Sequence, residues 1–199
     1  MKRYLIATVG AAGLLGLAAC GDGANDTAVG QTEPVNAAQD ATSAVVGQTS
    51  AATLGANTLE GYVDNAAIGD MYEIEAGRMA QERGVSAETK ALGEMLVSDH
   101  TAAAERMTGL ARAAGETIPP EMDERRQGLI DNLRAADGAE FDRVFAEQQV
   151  AAHQEAITLH EGFADNADHP ELAAFAGEMV PKLRTHLERA RALEAATDQ

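Results

Sequence analysis

The stretch SAETKALGEMLVSDHTAAAERMTGLARAAG, residues 86–115, decides the fold of this chain. Its apolar and small residues recur at alternating spacings of three and four, which predicts a long helix with one buried face. Ser86 is the predicted N-cap, and Gly115 is the predicted stop. The buried face contains Leu96, His100, Ala103, Met107, Leu110 and Ala114. His100 is therefore expected in the middle of the buried face of this helix.

The same period recurs in three further long segments. We predict long helices over about 57–83, 86–115, 139–165 and 168–196, and a short helix over about 122–136. Helices without strand signals predict an all-α fold, a four-helix bundle made of two tight hairpins with a short extra helix in the connection between them. The connection, roughly 116–138, is long enough to run back along the bundle as in ferritin-like crossovers. It could equally lie across one end of an up-down bundle.

Proline and composition agree with this prediction. Pro170 suits the first turn of the last helix, and Pro181 lies inside it. We expect Pro181 to kink the helix without breaking it, because the carbonyl it would strike belongs to the small residue Gly177. Aromatic residues are only 4 % of the chain and tryptophan is absent, so the core must come from Ala, Leu, Val and Met. Abundant alanine favours helices.

The charge balance excludes one class of partner. The chain has 15 basic and 32 acidic residues, for a formal net charge of −17. Such a surface repels phosphate backbones, so we expect no nucleic-acid partner. It also repels anionic lipid, so any attachment to a membrane must come from something other than charge.

The first residues have the features of a bacterial lipoprotein signal. Lys2 and Arg3 precede a mostly apolar run that ends in Leu17-Ala18-Ala19-Cys20-Gly21. This ending resembles a lipobox, in which the thiol of Cys20 accepts lipid before cleavage. Cys20 is the only cysteine, so no internal disulfide can form. The alternative is an ordinary signal peptide with an incidental cysteine.

This signal predicts the organisation and location of the chain. We assign residues 1–19 to a signal peptide, 20–56 to a disordered tether rich in small polar residues, and 57–197 to the helical bundle. The membrane is then a partner through the lipid on Cys20, and the bundle faces the periplasm of the cell envelope. Glycine rather than aspartate at position 21 favours the outer membrane over the inner one.

Five polar residues lie on the predicted buried faces, each near the middle of its helix. Asp70 and Glu73 are on the first helix, and His100, His153 and His186 are on the other three long helices. Helix midpoints lie at similar heights in a bundle, so these side chains can converge on one layer. Inward carboxylates and imidazoles are how bundles build metal sites. The predicted ligands are Glu73, His100, His153 and His186, for one transition-metal ion.

Other residues can support such a site by forming hydrogen bonds with its ligands. Asp70 or Asp99 could hold an imidazole in one tautomer, and His160 could extend the polar layer. A di-iron centre is not predicted, because no Glu-x-x-His spacing precedes His100 or His186. The competing interpretation is a polar layer whose groups bond to one another and set the helix register.

Short motifs across the bundle resemble a family of exported bacterial proteins, domain of unknown function 4142, which has a ferritin-like fold. They comprise Tyr72-Glu73-Ile74, Met95-Leu96-Val97-Ser98-Asp99-His100, Phe141-Asp142 with His153, and Met179-Val180-Pro181 with Leu183 and His186-Leu187. The resemblance covers about residues 57–195. It implies the fold and not an activity, since the family has no established chemistry.

The residues leave three interpretations of function open. The leading one is an envelope-anchored lipoprotein whose bundle is a non-enzymatic binding or structural module. The alternative is a ferritin-like periplasmic protein that binds one transition metal in its core. The third is an oxidase that uses such a metal.

Overall fold

The computed structural model describes residues 58–197. The predicted signal peptide, Cys20 and the tether lie outside the described residues. The helices are α1 (Leu59–Arg83), α2 (Ala87–Ala114), α3 (Glu124–Ala135), α4 (Ala139–Phe163) and α5 (Pro170–Thr197). The described part is all-α, which confirms the predicted four-helix bundle with a short fifth helix in the connection.

Local signals begin and end the helices. The side chains of Thr58, Ser86 and Asp123 cap α1, α2 and α3 by accepting a backbone N–H of the first turn. Gly115 ends α2 with a φ of 87°, a left-handed conformation that glycine adopts without strain. Helix α5 begins at Pro170 and continues through Pro181, so the expected absence of a break is confirmed.

The hydrogen bonds at one end of the bundle settle the direction of the connection. The loop between α1 and α2 meets the first turn of α4, where Asp142 accepts hydrogen bonds from the backbone N–H groups of Val85 (2.9 Å) and Ser86 (2.8 Å). Arg83 donates to the carbonyls of Leu133 and Ala136 at the end of α3. Helix α2 therefore starts at the end where α4 starts, and the connection runs back along the bundle. This is the ferritin-like crossover.

Helix α3 lies within that crossover and packs over α1 and α4. Ile130 and Leu133 are its fully buried apolar residues. Arg126 is also buried and forms an ion pair of 3.0 Å with Glu155 of α4. Gln148 Nε2 donates to the carbonyl of Leu129 at 3.2 Å. Charged and polar contacts therefore hold α3 in place alongside a small apolar face.

The core consists of two apolar clusters with a polar layer between them. One cluster is built around Tyr62, Met107 and Phe163, toward the end of the bundle where α1 starts. The other contains Tyr72, Phe141 and Phe145, toward the opposite end. The buried polar residues between the two clusters are Asp70, Glu73, His100, Gln149, His153 and His186. None of the described helices combines the length and the apolar character that spanning a membrane requires.

Candidate metal centre

Three histidines from three helices meet in the polar layer. His100 of α2, His153 of α4 and His186 of α5 are each exposed by 3 % or less. Their ring centroids are 5.3 to 5.8 Å apart. One potential ligand atom from each residue can be chosen so that all three atoms lie within 4.8 Å of one another. The bundle thus brings together imidazoles separated by up to 86 positions in the sequence.

Each imidazole uses one ring nitrogen for a partner outside the cluster. His100 Nδ1 lies 2.8 Å from Asp70 Oδ1, and His186 Nε2 lies 2.9 Å from Asp99 Oδ2. His153 Nδ1 donates to the backbone carbonyl of Gln149 at 2.9 Å. A carbonyl or carboxylate oxygen accepts, so each of these nitrogens carries the ring N–H. The other nitrogen of each neutral ring is then a lone pair.

The ring nitrogens that face the inside of the cluster have no hydrogen-bond partner outside it. His153 Nε2 and His186 Nδ1 lie 3.2 Å apart, and His100 Nε2 is buried without a hydrogen-bond partner. Two nitrogen lone pairs at that distance repel unless a cation lies between them. Neutral imidazole nitrogens whose opposite N–H groups are held by carboxylate or carbonyl oxygens form the usual arrangement around a protein metal ion. The donor set therefore fits a transition-metal ion.

Burial and neighbouring charges set the protonation of the histidines. Burial lowers the pKa of His153 well below its usual value, and the adjacent His100 and His186 lower it further. Burial also lowers the pKa of His186, although Asp99 opposes this. Burial alone would lower the pKa of His100, but its hydrogen bond to Asp70 and the charge of Asp70 raise it overall. Two of the three rings are thus neutral, the form that binds metals.

Three carboxyl groups surround the cluster. Burial raises the pKa of Asp70 despite its bond to His100. Burial also raises the pKa of Glu73 to about 7. Burial would raise the pKa of Asp99, but the hydrogen bond from His186 and the charge of Lys182 lower it overall. The negative charge of Asp99, together with that of Asp70 and Glu73 when these two are ionised, favours a cation over an anion in the layer.

Glu73 lies beside the cluster. Its Oε1 is 3.9 Å from His153 Nδ1, the nitrogen that already donates to Gln149. Its Oε2 is buried and has no hydrogen-bond partner. Within the part of the chain that the structure describes, the compact donor group consists of the three histidines, and Glu73 is adjacent to it.

His160 belongs to the next layer, seven residues along α4 from His153. Its Nδ1 lies 3.0 Å from the hydroxyl of Tyr62, whose ring stacks on Phe163. Burial lowers the pKa of His160 from 6.5 to about 3, so its neutral ring accepts the tyrosine proton in a hydrogen bond. It is not part of the three-histidine group.

We predict that His160 makes the metal-free protein acid-sensitive. Its folded pKa lies below the unfolded value, so its contribution to stability is complete above pH 6.5 and is lost as pH falls toward 3. His160→Gln should lose less stability than the wild type between pH 7 and pH 4, by on the order of 3 kcal/mol. Denaturant unfolding at both pH values measures this difference. Equal losses in the two proteins would contradict it.

Sequence reasoning missed two features of this region. Gln149 is fully buried in the polar layer, and its position four residues before His153 could have placed it on the same helix face. The contact of α1 with α2 at Gly77 and Gly93 was also missed. A Cβ added at Gly93 would lie 2.6 Å from the Gly77 carbonyl oxygen. Only the packed pair of helices reveals it.

The fold and this cluster define a ferritin-like helical bundle with buried histidines. Residues 44–193 match the family described as "Domain of unknown function (DUF4142)", and the chain belongs to that family. No curated protein matches the sequence.

One solved structure, described as "CopM in the Cu(II)-bound form", is similar to the chain with a TM-score of 0.59 at 17 % sequence identity. The alignment covers 69 % of this chain and 95 % of that one. At this identity the similarity supports the fold alone.

Proposed function

We propose that this protein binds one transition-metal ion in the core of its bundle, with His100, His153 and His186 as ligands. The observation that carries the proposal is the convergence of their ligand atoms within 4.8 Å in a buried layer. The N–H groups of the rings point away toward Asp70, Asp99 and a carbonyl. A register-setting polar layer would instead be expected to pair its buried nitrogens, whereas His100 Nε2 has no partner.

The surrounding groups hold the rings in the geometry that binding requires. Asp70 and Asp99 fix the tautomers of His100 and His186, and they raise the basicity of the opposite nitrogens. Three imidazoles without a thiolate suit copper, zinc, iron or nickel. The similar fold of CopM, described in its Cu(II)-bound form, makes Cu(II) the first ion to test.

Metal titration of the purified protein tests the proposal. We expect Cu(II) or another imidazole-binding ion to remain at one equivalent after removal of excess metal, measured by elemental analysis. The bound ion should also raise the melting temperature. If neither Cu(II), Zn(II), Co(II) nor Ni(II) remains bound, the proposal fails and the layer is structural.

We expect Asp70→Asn to weaken metal binding. The substitution keeps the size of the side chain but removes the buried negative charge behind His100. Loss of such a supporting carboxylate costs about 10–100-fold in affinity. Competition with a chelator of known affinity measures the change. Asp64→Asn on the same helix is the control and should leave the affinity unchanged, and an equal affinity in Asp70→Asn would contradict the assigned role.

We also propose that the bundle is held at the periplasmic face of a membrane by lipid on Cys20. Support comes from the lipobox-like Leu17-Ala18-Ala19-Cys20-Gly21 sequence. Cys20→Ser removes the thiol that accepts the lipid, so the full chain should move from the membrane fraction to the soluble fraction of the cell envelope. Continued fractionation of the variant with membranes would refute the anchor.

A further inference from the structure

The buried polar atoms that lack partners point to a second component of the site. Among the described residues, the buried side-chain nitrogens and oxygens without a hydrogen bond are Glu73 Oε2, His100 Nε2, Gln149 Nε2 and Gln149 Oε1. Leaving such an atom unsatisfied in a dry interior is unfavourable. All four lie in the polar layer that contains the histidines. A metal bound to the histidines satisfies only the atom of His100.

Glu73 and Gln149 therefore keep unpaired polar atoms even when the histidines hold a metal. Burial raises the pKa of Glu73, and the amide of Gln149 lies close enough to oppose that rise, yet neither of its atoms reaches Glu73 with hydrogen-bond geometry. Gln149 is fully buried, and Glu73 is exposed by 4 %. The two side chains are therefore neighbours in the layer, and between them they keep an acceptor and a donor that no hydrogen bond satisfies.

A cavity lies next to the Glu73 side of the layer. Glu73 and His100 line a cavity of about 900 Å³ between α1, α3 and α4. The same cavity is lined by Glu147, whose side chain is 46 % exposed. The cavity therefore lies beside His100 and Glu73, whereas Gln149, His153 and His186 do not line it.

We propose that Glu73 and Gln149 hold a small oxygen ligand, of the size of water or hydroxide, on an open coordination position of the metal. The inference rests on the proposed metal site. Three protein ligands leave a fourth position free, as in metal sites that act on exogenous molecules. An oxygen ligand directs a lone pair to the metal, donates its O–H to Glu73 Oε2 and accepts from Gln149 Nε2. An apolar ligand would satisfy none of these groups.

The Cu(II)-loaded protein tests this proposal with two probes. In water enriched in oxygen-17, a copper-bound oxygen broadens the electron paramagnetic resonance signal. Azide should displace this oxygen, removing the broadening and producing an azide-to-copper charge-transfer band. Copper content is measured in parallel for every variant. Loss of copper from the wild type would indicate failure of the proposed function, whereas full copper without broadening would overturn this inference alone.

Variants then test the two holding residues. Gln149→Met removes the donor, so it should keep one equivalent of Cu(II) but bind azide about 10–100-fold more weakly, the effect of losing a hydrogen bond to a charged group. Gln127→Met, on α3 and outside the cavity, is the control and should bind azide normally. Glu73→Gln removes a negative charge and should keep copper while it tightens azide binding. Loss of copper in Glu73→Gln would show that Glu73 is itself the fourth ligand and would overturn the proposal.

Discussion

Replacing His153 with alanine should leave a folded protein without bound metal. His153 lies at the centre of the proposed site, since its Nε2 is 3.2 Å from His186 Nδ1 and its ring contacts that of His100. Two imidazoles alone cannot enclose the ion in a buried layer. In the wild type, metal at 100 times its dissociation constant stabilises the fold by about 2.7 kcal/mol. For a domain of this size, that corresponds to a rise in melting temperature on the order of 5–10 °C.

Metal should not raise the melting temperature of His153→Ala, because this variant no longer binds the ion. Calorimetry with and without Cu(II), together with elemental analysis, measures both quantities. His160→Ala is the matched control, since it removes another buried histidine of α4 that lies outside the three-histidine group. It should lower the melting temperature of the metal-free protein yet retain the metal-dependent rise. Equimolar metal in His153→Ala would disprove the ligand assignment.

Replacing Gly93 with alanine should destabilise the bundle. The added Cβ would lie 2.6 Å from the carbonyl oxygen of Gly77 and 2.8 Å from the Cβ of Ala80, both on α1. A backbone oxygen cannot rotate away as a side chain can, so α1 and α2 must separate. Overpacking of this kind costs about 1–3 kcal/mol, whereas the better helix propensity of alanine returns about 0.5–1 kcal/mol. The steric cost outweighs the gain, and the free energy of unfolding should fall by about 1–2 kcal/mol.

Gly109 provides the control within the same helix. It is exposed, and a Cβ added there meets no atom within 4 Å. Gly109→Ala should therefore stabilise the protein by about 0.5–1 kcal/mol through helix propensity alone. The change in the free energy of unfolding, measured with denaturant, should therefore have opposite signs for Gly93→Ala and Gly109→Ala. A stabilising Gly93→Ala would mean that the helices do not approach this closely.

The helices could be predicted because their signals are local. The period of apolar residues, the cap at Ser86 and the glycine at 115 act within a few residues of each helix end. The short motifs shared with the family also lie within single helices, and the match over residues 44–193 confirms that resemblance.

Only part of the candidate site could be predicted from the sequence. The period of apolar residues places His100, His153 and His186 on buried helix faces, because side-chain direction in a helix follows from position. The period does not predict which carboxylate forms a hydrogen bond with which imidazole. Asp99 immediately precedes His100 in α2, yet it forms a hydrogen bond with His186, which is 87 residues away. Gln149 is uncharged, so no sequence pattern indicates its role, although it is fully buried in the layer.

Over residues 58–197, the amino-acid sequence by itself determined the number of helices, their ends and the side that each one buries, because periodicity and capping depend on neighbours in the chain. Only the tertiary structure decided the direction of the crossover, the contact of Gly77 with Gly93, and the turning of three ring nitrogens toward one another. These features join residues far apart in sequence. A connection such as residues 115–138 is long enough for either topology, so the choice depends on contacts such as those of Asp142 with the loop between α1 and α2, which exist only once the helices have packed.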